Sequence, residues 1–191
     1  VLVNWSDEAV TKLAYQNEST ETLADIAPWK LEQKKNCIDK KCCFLYIESN
    51  TPGLLANIDG KKLQTVRIAM ETAFEKFEYY TMANIGQWSI VAIPTIPWAK
   101  KAFPDLDDEK ALEKLWNAVL MSVRVSESND PIEEWKQHNE NLEHYCTLLN
   151  DYKFKSLHFK NSMGTDLKVE LIRDHVWAAG SEIAKNGARF N

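Results

Sequence analysis

The residues of this chain best suited to bond-making chemistry are four histidines, four cysteines and one Gly-Thr-Asp turn. His138 and His144 share a helical pattern, where their spacing sets them about 240° apart around the axis. They point to different sides and cannot both bind one ion from that helix. Glu134 with His138, and Glu140 with His144, are i,i+4 neighbours, the spacing of surface ion pairs. His158 alternates with Leu157 and Phe159, so it faces solvent or a neighbouring domain. His175 opens His175-Val176-Trp177, near the end of the chain. A metal site drawn from His138, His158 or His175 stays open as a reading.

Cys37, Cys42, Cys43 and Cys146 contain no CxxC pair. Cys42 and Cys43 sit side by side in a strand-like run, so their side chains point to opposite faces and do not converge on one ligand. The four read as buried free thiols in a reducing compartment rather than as zinc ligands. No HExxH, GxSxG or Walker loop is present, and no glycine triplet follows a strand. Two loops follow apolar runs: Ser49-Asn50-Thr51-Pro52-Gly53 and Pro94-Thr95-Ile96-Pro97-Trp98. Open α/β sheets bind ligands beyond the carboxyl ends of their strands. The plainer reading of both loops is a strand-to-helix turn.

Gly164-Thr165-Asp166 carries two readings. Asp166 orients a ligand or a neighbouring loop, or Gly164 supplies a positive φ while the Thr and Asp side chains tie down a turn. These residues yield no assignment of a catalytic, cofactor-binding or metal-binding role.

The elements that must position these groups alternate at first. Three short apolar runs, 1–5, 42–48 and 88–93, read as strands covered on both faces. Helical patterns lie between them. One covers 20–27, another starts at Pro28 and runs to 36, and a long one covers 61–82 with Leu63, Val66, Met70, Phe74 and Phe77 as its apolar stripe. This order predicts an α/β fold, with an open, mostly parallel sheet flanked by helices. Helices alone follow. A short one ends near Phe103, and the next is capped by Asp107 or Asp108. A third is opened by Asp130-Pro131-Ile132-Glu133, which supplies a cap, a first-turn proline and a Glu at N3. After them, 156–160 and 167–171 alternate apolar and polar residues around Asn161-Ser162-Met163-Gly164. That pattern is a β-hairpin with one dry face. It would begin a second domain near Lys153.

The totals are those of a soluble globular protein. Of 191 residues, 45% are apolar and 27% charged, enough for one full domain and the start of another. A net charge of −5 and a pI near 5.5, with no basic stripe, argue against nucleic-acid binding. The longest apolar runs are too short to span a membrane. No signal peptide is visible, and the expected compartment is the cytoplasm. Seven tryptophans are a high count, and most read as core or interface anchors.

The order of short segments resembles one family. These are Pro52-Gly53-Leu54 with Asp59; Trp88 through Thr95 with Trp98-Ala99 and Phe103-Pro104; Leu115-Trp116 with Arg124; Asp130-Pro131 with Trp135 and His138; Leu149-Asn150; Leu157-His158-Phe159; and Gly164-Thr165-Asp166-Leu167 with Trp177 and Gly180. Together they are similar to the thermophilic-type metallo-aminopeptidases, the group of aminopeptidase T, aminopeptidase S and PepS. The resemblance covers most of the chain from about Cys42 onward, with no clear departure among these segments.

The resemblance implies a longer, two-domain protein that removes N-terminal residues from peptides and forms homodimers. Its second domain would hold two divalent ions, such as zinc, cobalt or magnesium, on Glu, His and Asp ligands. Those ions would activate a water and polarise the scissile carbonyl. The family's first metal-binding glutamate falls just beyond the position matching Phe190-Asn191, so no ligand is carried onto this chain. Residues 1–152 would be the α/β N-terminal domain, its first part missing before Val1. Residues 153–191 would be the truncated start of the catalytic domain. The expectation is an inactive fragment of an aminopeptidase that holds no cofactor of its own. The rival expectation is a non-catalytic α/β ligand-binding or interaction module.

Overall fold

A computed structural model describes residues Val1–Phe190; Asn191, the last residue of the stretch that begins at Gly164, lies outside them. The chain packs as two compact units. One comprises residues 1–123 and the segment from Glu182, and the other comprises Arg124–Ser181.

The first unit starts differently from expectation. Residues 1–5 form no strand, and Val1, Leu2, Val3 and Trp5 are exposed. A strand satisfies its backbone through a neighbour, and among the described residues none pairs with this run. A helix follows instead, α1 (Glu8–Asn17), whose first amides are capped by the Asp7 carboxylate at 2.8 and 3.0 Å. Next come α2 (Thr20–Ala24), capped by Ser19, and α3 (Pro28–Asp39), which has proline in its first turn.

Strand β1 (Phe44–Glu48) pairs in parallel with β2 (Trp88–Ala92), with Phe44 opposite Trp88 and Glu48 opposite Ala92. Between them run α4 (Gly60–Ala73), capped by Asp59, and α5 (Glu75–Met82). The expected single helix over 61–82 breaks at Phe74, where φ is −102° and ψ 13°. Phe77 N–H then bonds Phe74 O at 2.8 Å, a tighter i→i+3 turn. Beyond the break, Phe77 and Tyr80 meet the ring of Phe44 edge-on at 4.9 and 6.2 Å. Lys34 of α3 lies over the Phe77 and Phe44 rings on the same side.

The packing is therefore on the Phe44 and Tyr46 face of the sheet, and it stops short of Ile90, which is exposed. Leu45, Ile47 and Val91, on the other face, are exposed. This corrects the expectation of strands covered on both faces: among the described residues, the ring and cation–π contacts that Phe44 makes outside β1 come from α3 and α5. Trp88, Trp98, Trp135 and Trp177 are half-buried, while Trp5 and Trp29 are exposed.

Two more helices complete this unit, α6 (Ile96–Ala102) and α7 (Asp108–Ser122), capped by Thr95 and Asp107. Ala99, Ala111 and Leu115 form a buried cluster between them, with Trp98, Phe103 and Val119 packed around it. Alanines at the crossing let the helices approach closely, and burying a side chain such as Leu115 contributes about 2 kcal/mol. At the end of the chain β5 (Glu182–Ile183) pairs with β6 (Arg189–Phe190).

The second unit holds α8 (Pro131–Tyr152), capped by Asp130, and a hairpin of β3 (Ser156–Lys160) and β4 (Asp166–Glu170). Lys153 ends α8 in the left-handed region at φ 49°. The hairpin register puts Leu157 opposite Val169 and Phe159 opposite Leu167, the alternation read from the sequence. Its apolar face is not dry here: Phe159 and Leu167 are each about half exposed. The architecture is α/β, and its sheets among the described residues are two-stranded, one parallel and two antiparallel. No helix among the described residues is long and apolar enough to cross a membrane.

Candidate functional site

The hairpin brings together two residues that the sequence kept apart. His158 and Asp166 lie on the same polar face, and His158 Nε2 is 2.5 Å from Asp166 Oδ1. Lys160, directly opposite Asp166 in the register, places its ammonium 3.2 Å from the second carboxylate oxygen. Both oxygens of Asp166 are therefore engaged. The signal for this pairing was the cross-strand register, which the sequence alone does not specify until the turn geometry is known.

The turn between the strands is tied by Asn161. Its side-chain oxygen accepts from Met163 N at 3.0 Å and Thr165 N at 3.1 Å. Gly164 takes φ 97°, the left-handed conformation its position requires. Asp166 thus does not close the turn as the structural reading had it; its carboxylate serves the His158–Lys160 cluster.

Beside the hairpin lies an open groove of about 1040 Å³, lined by Asn150, Lys153, Phe154, Glu170, Arg173 and His175 among others. His175 Nδ1 lies 2.8 Å from Ile172 O, so that nitrogen donates and is not a free ligand. Its ring packs edge-on against Trp177. Asn150 of α8 holds this segment in place. Its oxygen accepts from Trp177 N at 2.8 Å and its amide donates to Trp177 O at 3.0 Å, as a neighbouring strand would.

His138 and His144 diverge as the helical spacing predicts. Arg124, itself at φ 57°, donates to His138 Nδ1 at 2.9 Å and lies over the Trp135 ring. His144 packs edge-on against Tyr145. A guanidinium on one ring nitrogen of His138 removes that nitrogen from metal binding.

In the first unit, the loop after β1 is held by a carboxylate that the sequence did not point to. Glu8 accepts from Thr51 N and Thr51 Oγ1, both at 2.7 Å. These two bonds from Thr51 hold the Glu8 carboxyl below its ordinary value. A shallow pocket of about 470 Å³ lies here, bounded by Ser6, Thr11, Asn50 and Leu63. With both oxygens of Glu8 taken by Thr51, the contact is a loop anchor. The second loop is a helix start: Thr95 Oγ1 accepts from Trp98 N, and Trp98 packs on the Ala99 cluster.

The cysteine expectation holds in part. All four are free thiols, but only Cys37 is buried, and Cys43 is exposed with its thiol 3.3 Å from Gln87 Oε1.

Known proteins decide the family. The sequence model of the thermophilic metalloprotease (M29) family matches residues 1–191. The chain belongs to that family. It is 31% identical over 191 residues to aminopeptidase 2 of Geobacillus stearothermophilus, covering 100% of this chain and 46% of that protein. Aminopeptidase AmpS of Bacillus subtilis is 30% identical over 190 residues, with the same coverage of each chain. Aminopeptidase T of Thermus aquaticus is 30% identical over 168 residues, covering 87% and 41%. Among solved structures, wild-type AmpT from Thermus thermophilus superposes with a TM-score of 0.85 at 26% identity, covering 98% of this chain and 45% of that one. The chain thus spans a little under half the length of these M29 relatives.

A metalloprotease family implies a metal, and the described residues do not fit one. No group of three or more His, Cys, Asp or Glu residues among them is placed to hold an ion. The best-placed pair, His158 with Asp166, is solvent-exposed and has the Lys160 ammonium on the same carboxylate. A cation already in that place opposes a second one.

Proposed function

We propose that the whole protein is a metal-dependent aminopeptidase that removes N-terminal residues from peptides. The observation that carries this reading is the match of the M29 family across residues 1–191. The aminopeptidase names of relatives at 29% to 31% identity support it. Two divalent ions would be held by residues outside this chain, where they would activate a water and polarise the scissile carbonyl. Residues 1–152 would form the N-terminal domain and residues 153–191 the first part of the catalytic one. Peptides are the proposed substrates, a homodimer the proposed assembly and the cytoplasm the proposed compartment.

What this chain's own residues do is hold a scaffold. Asn150 fixes the Trp177 segment, and the His158–Asp166–Lys160 cluster fixes the polar face of the hairpin. The experiment is hydrolysis of an aminoacyl-anilide with added Zn²⁺ or Co²⁺. The complete protein is expected to cleave it, and the 191-residue chain by itself is expected to be inactive. Metal-dependent turnover by the chain alone would overturn the assignment of the metal to residues outside it. Failure of the complete protein with every divalent metal tried would overturn the aminopeptidase reading.

A further inference from the structure

Helix α3 ends in a backbone motif that presses two particular side chains together. Lys41 follows the helix in the left-handed region at φ 53°. Cys42 N donates to Cys37 O at 2.9 Å, and Lys41 N donates to Ile38 O at 2.9 Å. These are the 6→1 and 5→2 bonds of a Schellman cap. In that motif the side chain third from the helix end and the one two residues past the cap meet, usually as an apolar contact. Here both positions are cysteine.

The backbone bond limits the separation. An N–H···O=C contact of 2.9 Å between the two residues holds their Cα atoms within about 6.8 Å, using standard bond lengths. That is inside the range a disulfide spans. The two thiols also feel each other: burial pushes the Cys37 thiol up, and the charge and hydrogen bond of Cys42 push it further. Cys43 is directed elsewhere, toward Gln87. The Tyr80 hydroxyl donates to Cys42 O at 3.2 Å and fixes the cap from the far side.

We propose that Cys37 and Cys42 are a redox modification site, forming a reversible disulfide across the C-terminal cap of α3. The oxidant class is a hydroperoxide. Cys42 is the more accessible of the pair. Its thiolate attacks the peroxide oxygen, the O–O bond breaks, and Cys42 becomes a sulfenic acid with release of water or an alcohol. The Cys37 sulfur then attacks the Cys42 sulfur as its proton is lost, the S–O bond breaks, and a second water leaves. Two thiols are oxidised by two electrons and one peroxide is reduced. A thiol reductant reverses the bond.

The test treats the 191-residue chain with hydrogen peroxide, alkylates the remaining thiols and digests with trypsin without reduction. Lys40 and Lys41 lie between the two cysteines, so cleavage there separates them unless the disulfide joins their peptides. The expected result is a linked pair of peptides and loss of two of the four alkylatable thiols, both reversed by dithiothreitol. Cys42→Ser should abolish the link and Cys43→Ser should leave it. Circular dichroism of each variant establishes that it folds. A link that survives Cys42→Ser would place the bond on Cys43 and overturn the proposal. So would four alkylatable thiols after peroxide, or links between chains only.

Discussion

Leu115 and Asn150 hold their helices in different ways. Leu115 on α7 is 6% exposed and packs into the cluster with Ala99 and Ala111. Asn150 on α8 is half-buried and works through two hydrogen bonds to the backbone of Trp177. The contrast extends to the units they belong to. Every buried residue among the described ones lies in the first unit, including Val66, Phe77, Tyr80 and Ala184, and none lies in Arg124–Ser181. The second unit keeps its form through directed polar contacts: Arg124 to His138, Asn129 to Arg124 O, Asn150 to Trp177, and His158 to Asp166. Burial contributes broadly over area, whereas a hydrogen bond contributes only where its geometry survives. The first unit should therefore be the more stable, and the second the first to open.

The sharpest attack on this contrast is truncation of its buried side. Leu115→Ala should cost about 3 kcal/mol in a urea or thermal melt, from lost burial and the cavity left behind. Leu142→Ala, at a half-buried position on α8, should cost about 1 kcal/mol, since water already reaches the site. Equal losses would break the contrast.

Gly86 tests how tightly the first unit is filled. A Cβ built there lies 2.2 Å from the Tyr80 ring, so the ring must move and its bond to Cys42 O is lost. Gly86→Ala should cost about 2 kcal/mol. A neutral result would show that the interior yields more easily than its burial suggests.

On the polar side, Asn150→Ala should cost about 1.5 kcal/mol and leave two backbone groups of Trp177 without partners. Hydrogen exchange should speed up at the Trp177 amide while amides of α7 stay protected. Faster exchange in both places would mean that the two units open together.

The smallest effect is expected at Glu8. Glu8→Gln weakens the two contacts to Thr51 and should cost about 1 kcal/mol or less at neutral pH, because solvent screens the site. The Glu8 carboxyl is held low in the folded chain, so its contribution is present above the ordinary carboxylate pKa near 4.3. That contribution is lost as the pH falls through the lower folded value. Melts of the two proteins should therefore converge in acid, and a gap that persists there would assign the loss to packing.

Much of the scaffold is legible locally. The caps at Asp107 and Asp130, the prolines that open α3 and α8, and the alternation of β3 and β4 all appear where short-range rules put them. These features depend on a residue and its near neighbours, so spacing alone reveals them. The break at Phe74 does not appear in the helical stripe, because packing against Phe44 competes with the helix only once β1 is in place. Residues 1–5 have strand composition without a partner strand, and composition says nothing of partners. The polar pairs were illegible for the same reason. Glu8 with Thr51 and Asn150 with Trp177 are distant in sequence and need the fold to meet.

By itself, then, the sequence determined the α/β class, the starts of α3, α7 and α8, the hairpin and the divergence of His138 from His144, since each follows from local spacing. The order of its short segments also carried the resemblance to metallo-aminopeptidases. Only the tertiary structure decided which carboxylates engage which distant partners and which sheet face is packed. The physical reason is range. Caps and periodicity act over a few residues, while burial and polar pairing depend on which distant segments the fold brings together.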